Sequence, residues 1–239
     1  MIYELNKCPI CGSSKLTPKS RATSGNDIIV KYLCQSCDSV VSYEPANNNL
    51  KEKTAREIYN NALKSVIEIT SNFNDESSAG TGILLKDNYV LTNAHVISCD
   101  GDIAEEIYGN FANDSTEYNL DVISLDEELD IALLKIEDCN YTPCNISDIS
   151  VNTGDKIYAI GNAIGQGLTI VEGIVSDSSR LVNGNTLILH SAAVNHGNSG
   201  GPLYNTNGEI VGMVSSARKD AKSMSYAIPN KVLIEFINL

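Results

Sequence analysis

Nowhere in this 239-residue chain does an uncharged apolar run approach the ~18–20 residues that a membrane-crossing helix needs, so none is expected. The opening segment, Met1-Ile2-Tyr3-Glu4-Leu5-Asn6-Lys7-Cys8, has neither an apolar stretch nor a small-residue cleavage site. It reads as no secretory leader, and the expectation is a cytoplasmic protein. Basic charge is scarce: 17 Lys and Arg against 30 Asp and Glu leave a net charge of −13 and a pI near 4.6. Nucleic-acid binding draws on basic patches, so the bulk of the chain is a poor candidate for it. Low-complexity tracts and short-period repeats are missing too. What is present is an ordinary globular composition, 42% apolar and 20% charged. The length allows one large domain or two modest ones, burying roughly three-quarters of the extended surface.

The charge is not evenly spread. Residues 1–44 hold five basic side chains (Lys7, Lys15, Lys19, Arg21, Lys31) and four acidic ones (Glu4, Asp27, Asp38, Glu44), and the remainder carries a net −14. The seven cysteines divide in the same way. Cys8 and Cys11, in Cys8-Pro9-Ile10-Cys11-Gly12, and Cys34 and Cys37, in Cys34-Gln35-Ser36-Cys37, form two C-x-x-C pairs. Two such turns can close a tetrahedral four-sulfur site at Zn–S ~2.3 Å. The competing readings are two disulfides, which suit a reducing compartment badly, or redox motifs, which would open a helix in a βαβ unit. The segment resembles a zinc ribbon with one structural zinc, residues 27–33 forming the strand into the second turn. A rubredoxin-like iron site shares the Cys-Pro-x-Cys-Gly turn and stays open as an alternative. So small a module buries little surface, and metal binding should supply its folding energy. Cys99, Cys139 and Cys144 have no matching spacing and read as buried or half-buried free thiols.

Residues 45–53 are polar and begin with proline, as a linker would. Thr54 to Leu63 reads as a short helix, with Thr54 as N-cap and Glu57 completing a capping box. Short β-type runs follow, at 65–70, 80–85, 89–93, 107–111, 118–126 and 131–136, then at 156–161, 168–176, 186–190, 202–204, 209–215 and 225–228. Asp87-Asn88 and Asn207-Gly208 mark tight hairpins, and Pro229–Ile237 a terminal helix. Twelve strands in two groups of six, with no helices between them, predict a mostly β chain of two six-stranded antiparallel barrels, with residues 54–239 as one domain after the 1–44 module.

Three segments carry chemistry. Thr92-Asn93-Ala94-His95 ends an apolar strand, Leu129-Asp130-Ile131 opens another, and Gly197-Asn198-Ser199-Gly200-Gly201 is a glycine-rich turn. Singly, each has an ordinary reading: a core histidine, a strand-end aspartate, a hairpin. Together, in a chain with only three histidines, they make a His…Asp…Ser set. A serine hydroxyl needs an imidazole to take its proton, and the imidazole needs a carboxylate to hold its tautomer. The amides around Gly197, Asn198 and Ser199, those of Gly197 and Ser199 above all, are free to form an oxyanion hole.

From about residue 54 onward the chain resembles trypsin-fold serine proteases of the HtrA (Deg) type. The likeness runs through Gly80-Thr81-Gly82-Ile83, Val90–Val96, Leu129–Ile136, Gly154-Asp155-Lys156, Ala159–Asn162, Gly173–Ser176, Gly197–Leu203, Gly208–Gly212 and Tyr226–Pro229. It implies His95 as general base, Asp130 as its orienter, Ser199 as nucleophile, and a protein or peptide substrate with no catalytic cofactor. Asn198 stands where digestive relatives carry an aspartate that pairs with a new N-terminus, so that switch is not expected. His196 replaces a usual proline and reads as solvent-facing, while His190 reads as a strand end. By alignment to the motif Ala193 lies at the base of the primary pocket. With Val214 and Ile228 nearby, small or medium aliphatic side chains are expected before the cut. Ser216 and Ala217 should pair with substrate backbone. A PDZ domain and a membrane anchor, usual in that family, are not found in these residues, and the ribbon is read as their replacement, docking a protein partner. A fold retained for binding alone and a nucleic-acid-binding ribbon are the competing functions.

Overall fold

The computed structural model describes residues 2–3, 7–8, 10–24, 27–42, 52–74, 76–217 and 224–238. The chain separates into two compact units, 1–51 and 52–239. Most of the expected linker, residues 45–51, lies outside the described residues.

In the smaller unit the Asp27–Cys34 strand pairs antiparallel with Leu16–Ser24 and Val40–Ser42 and parallel with Ile2–Tyr3. Its core is small: Val30, Tyr32 and Val41 around Cys8 and Cys34. Of these, only a strand over residues 27–33 was expected. Leu16–Ser24 is polar and contains Pro18, which removes a ladder donor, and the register shifts between Pro18 and Ser20.

The larger unit begins with helix α1, Ala55–Ala62, capped by Thr54: its side chain accepts from the Glu57 N–H, and the Glu57 carboxylate takes the Thr54 N–H at 2.7 Å. Twelve strands follow: β1 Val66–Asn72, β2 Ser77–Leu84, β3 Tyr89–Thr92, β4 Glu106–Phe111, β5 Tyr118–Asp126, β6 Ile131–Ile136, β7 Lys156–Gly161, β8 Thr169–Val182, β9 Asn185–His190, β10 Pro202–Asn205, β11 Ile210–Ala217 and β12 Ser225–Pro229. The first six close a barrel in the order β1-β2-β3-β6-β5-β4, and the last six repeat that order as β7-β8-β9-β12-β11-β10. Asp87 and Asn88, both at positive φ (56° and 58°), make the turn between β2 and β3. Helix α2, Ala94–Ile97, and a two-residue ladder, Ser98–Cys99 with Asp102–Ile103, fill the β3–β4 connection. Helix α3, Asn230–Ile237, ends the described chain.

Each barrel has its own core. Ile67, Leu84, Val90, Phe111 and Leu134 fill the first, and Ile157, Val175, Leu203, Val211 and Val214 the second. A third cluster, with Leu91, Ile131, Tyr158, Ile160, Met213 and Ile228, joins residues of both barrels to Ile58 of α1 and Leu233 and Phe236 of α3. Apolar burial on this scale, at ~25 cal/mol per Å², is the main term holding the two barrels together. The segments bearing His95, Asp130 and Ser199 all lie at strand ends: after β3, before β6 and before β10.

Candidate active site

His95 sits in the first turn of α2, directly after the buried end of β3. Its Nδ1 lies 2.8 Å from Asp130 Oδ1, and its backbone N–H donates to the same oxygen at 3.2 Å. Asp130 occupies the left-handed region (φ 59°), where a short polar side chain is tolerated, and Asn93 Nδ2 donates to its carbonyl at 2.8 Å. The carboxylate's other oxygen, Oδ2, accepts from Ser215 Oγ at 2.6 Å. Ser199 Oγ in turn donates to the Ser215 carbonyl at 2.8 Å. One strand residue thus links the carboxylate to the serine, and His95, Asp130 and Ser199 come together around it.

Ser215 was not picked out from sequence. Motif alignment reached its neighbours Val214, Ser216 and Ala217 but not the residue between them. Thr81 was also missed as a site residue. Wholly buried, it donates from its hydroxyl to the Gly197 carbonyl at 2.7 Å, accepts there from Asn162 N–H at 3.0 Å, and gives its own N–H to the Ser199 carbonyl at 2.8 Å. Through Thr81 the first barrel grips the loop of the second that carries Gly197 and Ser199.

That loop depends on glycine. Gly197 has φ 91°, and a Cβ there would lie 2.0 Å from the Asn162 carbonyl oxygen; Gly200, at φ 82°, would meet the Thr81 carbonyl oxygen at the same distance. The N–H groups of Gly197 and Ser199 donate to no other group among the described residues, whereas the Asn198 N–H is spent on the Asn195 carbonyl at 3.1 Å. Asn198 therefore spaces the two donors and is not one of them.

The remaining expected residues fall as follows. Ala193 is exposed, four residues before Gly197. Val214 and Ile228 are sealed in core clusters at 1% and 2% exposure: Val214 packs inside the second barrel, and Ile228 in the cluster that joins residues of both barrels. Ser216 and Ala217 continue β11 as expected, and their side chains lie outside the described ones. His196 is exposed. Cys99 is exposed, not buried, in a groove of about 440 Å³ that Phe73, Glu76, Ser77, Ser78 and Asp100 line up to His95. Cys144 donates to the Leu84 carbonyl at 3.2 Å, and burial pushes its thiol up to about 11.

His190 does end β9, but it is fully buried, and neither ring nitrogen has a hydrogen-bond partner. Burial drives its pKa from the ordinary 6.5 down to about 4, against a weaker opposite pull from the Tyr226 backbone. An unfolded chain protonates this ring below pH 6.5 and the folded chain only near 4. Stability should then fall by about 3 kcal/mol as pH drops through that window. Denaturant midpoints from pH 7 to 4 should decline less steeply in His190→Leu.

In the smaller unit the four expected thiols, Cys8, Cys11, Cys34 and Cys37, have their sulfurs within 4.8 Å of one another, with Cys8–Cys37 at 3.8 Å and Cys11–Cys34 at 3.5 Å. A tetrahedron with Zn–S ~2.3 Å has edges of ~3.8 Å, so the set fits such an ion. The two turns match bond for bond. Gly12 N–H donates to Cys8 O at 2.8 Å and Asp38 N–H to Cys34 O at 2.9 Å, with both residues at positive φ. Hydrogen bonds from Ser39 pull the Cys37 thiol down to about 6, toward the thiolate that a metal takes.

Residues 80–213, more than half of the chain, match the family model of the trypsin-like peptidase domain. This chain belongs to the trypsin-like peptidase family. The peptidase is similar to the serine protease Do-like HtrA of Bacillus subtilis (strain 168), at 34% identity over 189 residues, covering 72% of this chain and 41% of that one. A Marinomonas sp. (strain MWYL1) protein described as a probable periplasmic serine endoprotease, DegP-like, is 37% identical over 170 residues, 68% of this chain and 35% of its own. The peptidase thus spans well under half the length of these relatives. Among solved structures, the HtrA-type protease AlgW with a tripeptide superposes with a TM-score of 0.71 at 29% identity, covering 78% of this chain and 63% of that one. The active form of the Rv3671c protease from M. tuberculosis has a TM-score of 0.70 at 22% identity, covering 76% and 82%, and shares the fold.

Proposed function

We propose that this peptidase is an HtrA-type serine endopeptidase, with Ser199 as nucleophile, His95 as general base and Asp130 as the carboxylate that orients it. The observation that carries this reading is the bonded path from His95 through Asp130 and Ser215 to Ser199, beside two uncommitted N–H groups. With Nδ1 donating to Asp130, His95 Nε2 is left to accept a proton. In the resting arrangement the Ser199 hydroxyl is turned to the Ser215 carbonyl, so a χ1 rotation precedes attack. Oγ then adds to the substrate carbonyl carbon as its proton passes to Nε2, and the new oxyanion takes the Gly197 and Ser199 N–H groups. Collapse breaks the C–N bond, Nε2 protonates the departing amine, and an acyl-Ser199 ester remains. Water deprotonated by the same nitrogen releases the acid. Ser215, by fixing Asp130 Oδ2, acts as a positioning residue.

Labelling with a fluorophosphonate probe tests this: the wild type should react at Ser199, and silence equal to that of Ser199→Ala would overturn it. Gly197→Ala, which forces the donor amide out of place, should lower kcat for peptide hydrolysis by ~10²–10³. A steady-state assay beside circular dichroism separates this from misfolding.

For the smaller unit the reading is a zinc ribbon, in which Cys8, Cys11, Cys34 and Cys37 hold one structural ion that supplies folding energy. Its near-neutral charge and lack of a basic stripe favour a protein partner over nucleic acid. A cytoplasmic or otherwise reducing setting goes with this reading, since thiols 3.5–3.8 Å apart would oxidise elsewhere. Among the described residues no helix is long and apolar enough to cross a membrane.

A further inference from the structure

The turn from His196 to Gly201 carries both free N–H groups, and the rest of its backbone is bonded. Among the described residues the N–H of Asn198 donates to the Asn195 carbonyl at 3.1 Å, that of Gly200 to the Val214 carbonyl at 2.8 Å, and that of Gly201 to the Asn198 carbonyl at 3.0 Å. The His196 carbonyl accepts from the Ile164 N–H at 2.8 Å. The carbonyls of Gly197 and Ser199 both go to Thr81: its hydroxyl donates to the first at 2.7 Å and its N–H to the second at 2.8 Å. The peptide joining Asn198 to Ser199, which carries one of the free donors, is thus held on both flanks by one residue of the other barrel.

Thr81 is itself fixed. It stands wholly buried in β2, and its carbonyl accepts from the Thr92 hydroxyl at 2.7 Å. Thr92 is the last residue of β3, three before His95. A Cβ on Gly200 would lie 2.3 Å from that same Thr92 oxygen, so the turn runs hard against both threonines. The Thr81 hydroxyl has two duties, accepting from the Asn162 N–H at 3.0 Å while it donates to the Gly197 carbonyl. A hydroxyl can give and take at once. A methyl in its place does neither, and it leaves a buried N–H and a buried carbonyl without partners.

We infer that Thr81 is a positioning residue for the oxyanion hole: through one hydroxyl, the barrel that holds the base sets the direction of the N–H donors that the other barrel supplies. The inference rests on the reading of Ser199 as the nucleophile. Gly197 is where a tether is needed. At φ 91° and without a Cβ its backbone turns easily, and a donor speeds the reaction only when aimed at the place where the oxyanion develops. Misplacement by about 1 Å is enough to cost ~10²-fold. Thr81 acts through the turn and not on the reacting atoms. Its loss should therefore weaken binding of the transition state and leave ground-state binding alone.

The test compares Thr81→Val with Thr81→Ser in the full-length protein, on a fluorogenic peptide that the wild type cleaves. Two ligands built on the same residues accompany it. A peptide aldehyde adds to Ser199 Oγ and places its oxygen in the hole, whereas the matching peptide alcohol cannot react. In Thr81→Val kcat should fall ~10- to 100-fold with KM nearly unchanged. The aldehyde should bind more weakly by a similar factor, and the alcohol as well as before. Thr81→Ser, which keeps the hydroxyl, should match the wild type on every count. An unchanged kcat in Thr81→Val, aldehyde and alcohol weakened alike, or Thr81→Ser as impaired as Thr81→Val would each overturn the inference. Should Thr81→Val not fold, Thr81→Cys, of similar size but a weak donor, takes its place under the same criteria. Any of those results in a protein whose wild type cleaves peptides sinks this inference alone. A wild type that takes no fluorophosphonate and cleaves no peptide sinks the nucleophile assignment with it.

Discussion

Replacing Ser199 by alanine should lower kcat for peptide hydrolysis by ~10⁴–10⁶ while the fold stays intact. Among the described residues Ser199 Oγ makes one hydrogen bond, to the Ser215 carbonyl, so its loss disturbs little else. The backbone of residue 199, held by Thr81 N–H on its carbonyl at 2.8 Å, does not depend on the hydroxyl. Far-ultraviolet circular dichroism and the thermal midpoint should therefore match the wild type. His95→Ala should fall as far, and the Ser199→Ala/His95→Ala double variant hardly farther, since a nucleophile without its base and a base without its nucleophile are equally idle. Residual rate in the double variant should track the two free N–H groups, and a further Gly197→Ala change should erase it. A double variant whose loss equals the product of the single losses would mean that His95 and Ser199 act separately, and the proposed mechanism would fail.

The proposed catalytic residues could be picked out because each has a local signature. Gly197 and Gly200 stand where backbone approaches backbone within van der Waals distance, and only glycine fits there. His95 follows a buried apolar strand, and Asp130 precedes another. The barrels were legible for a similar reason: β5, β6 and β7 alternate or run apolar between clear turns, and their bounds agree with the sequence reading residue for residue.

What escaped reading was set by tertiary contact. Helix α2 is four residues long, too short for periodicity. The Asp100-Gly101 turn, at φ 52° and 89°, closes only a two-residue ladder. Strand β8 runs six residues past the expected end, because register shifts around Asp177 let a polar stretch remain paired to β9. Ser215 and Thr81 look like ordinary strand hydroxyls. Their partners, Asp130 and the Gly197 carbonyl, are 85 and 116 residues away, and no local pattern encodes such a pairing. Val214 and Ile228 were expected near Ala193 in a pocket, yet Val214 packs inside the second barrel and Ile228 in the cluster between the barrels.

Stripping metal from the zinc-loaded protein should unfold residues 1–44 and leave the peptidase barrels folded. The small unit has five buried apolar or cysteine residues as its core, and two of them, Cys8 and Cys34, are thiols of the proposed site. So little burial cannot offset the ordering of some forty residues at ~1–2 kcal/mol each in backbone entropy. Ligation of an ion by the proposed four-thiol site would add the folding free energy that the apolar core lacks. The barrels owe nothing to it: their three clusters are closed by apolar side chains of residues 55–237. Amide resonances of Leu16–Ser24 and Asp27–Cys34 should collapse to random-coil positions under a strong chelator and return with one equivalent of zinc, and Cys11→Ser should reproduce the collapse. Fluorophosphonate labelling of Ser199 should persist throughout. Retention of the Asp27–Cys34 ladder in metal-free protein would show that packing alone holds the ribbon, and the four thiols would then need another purpose.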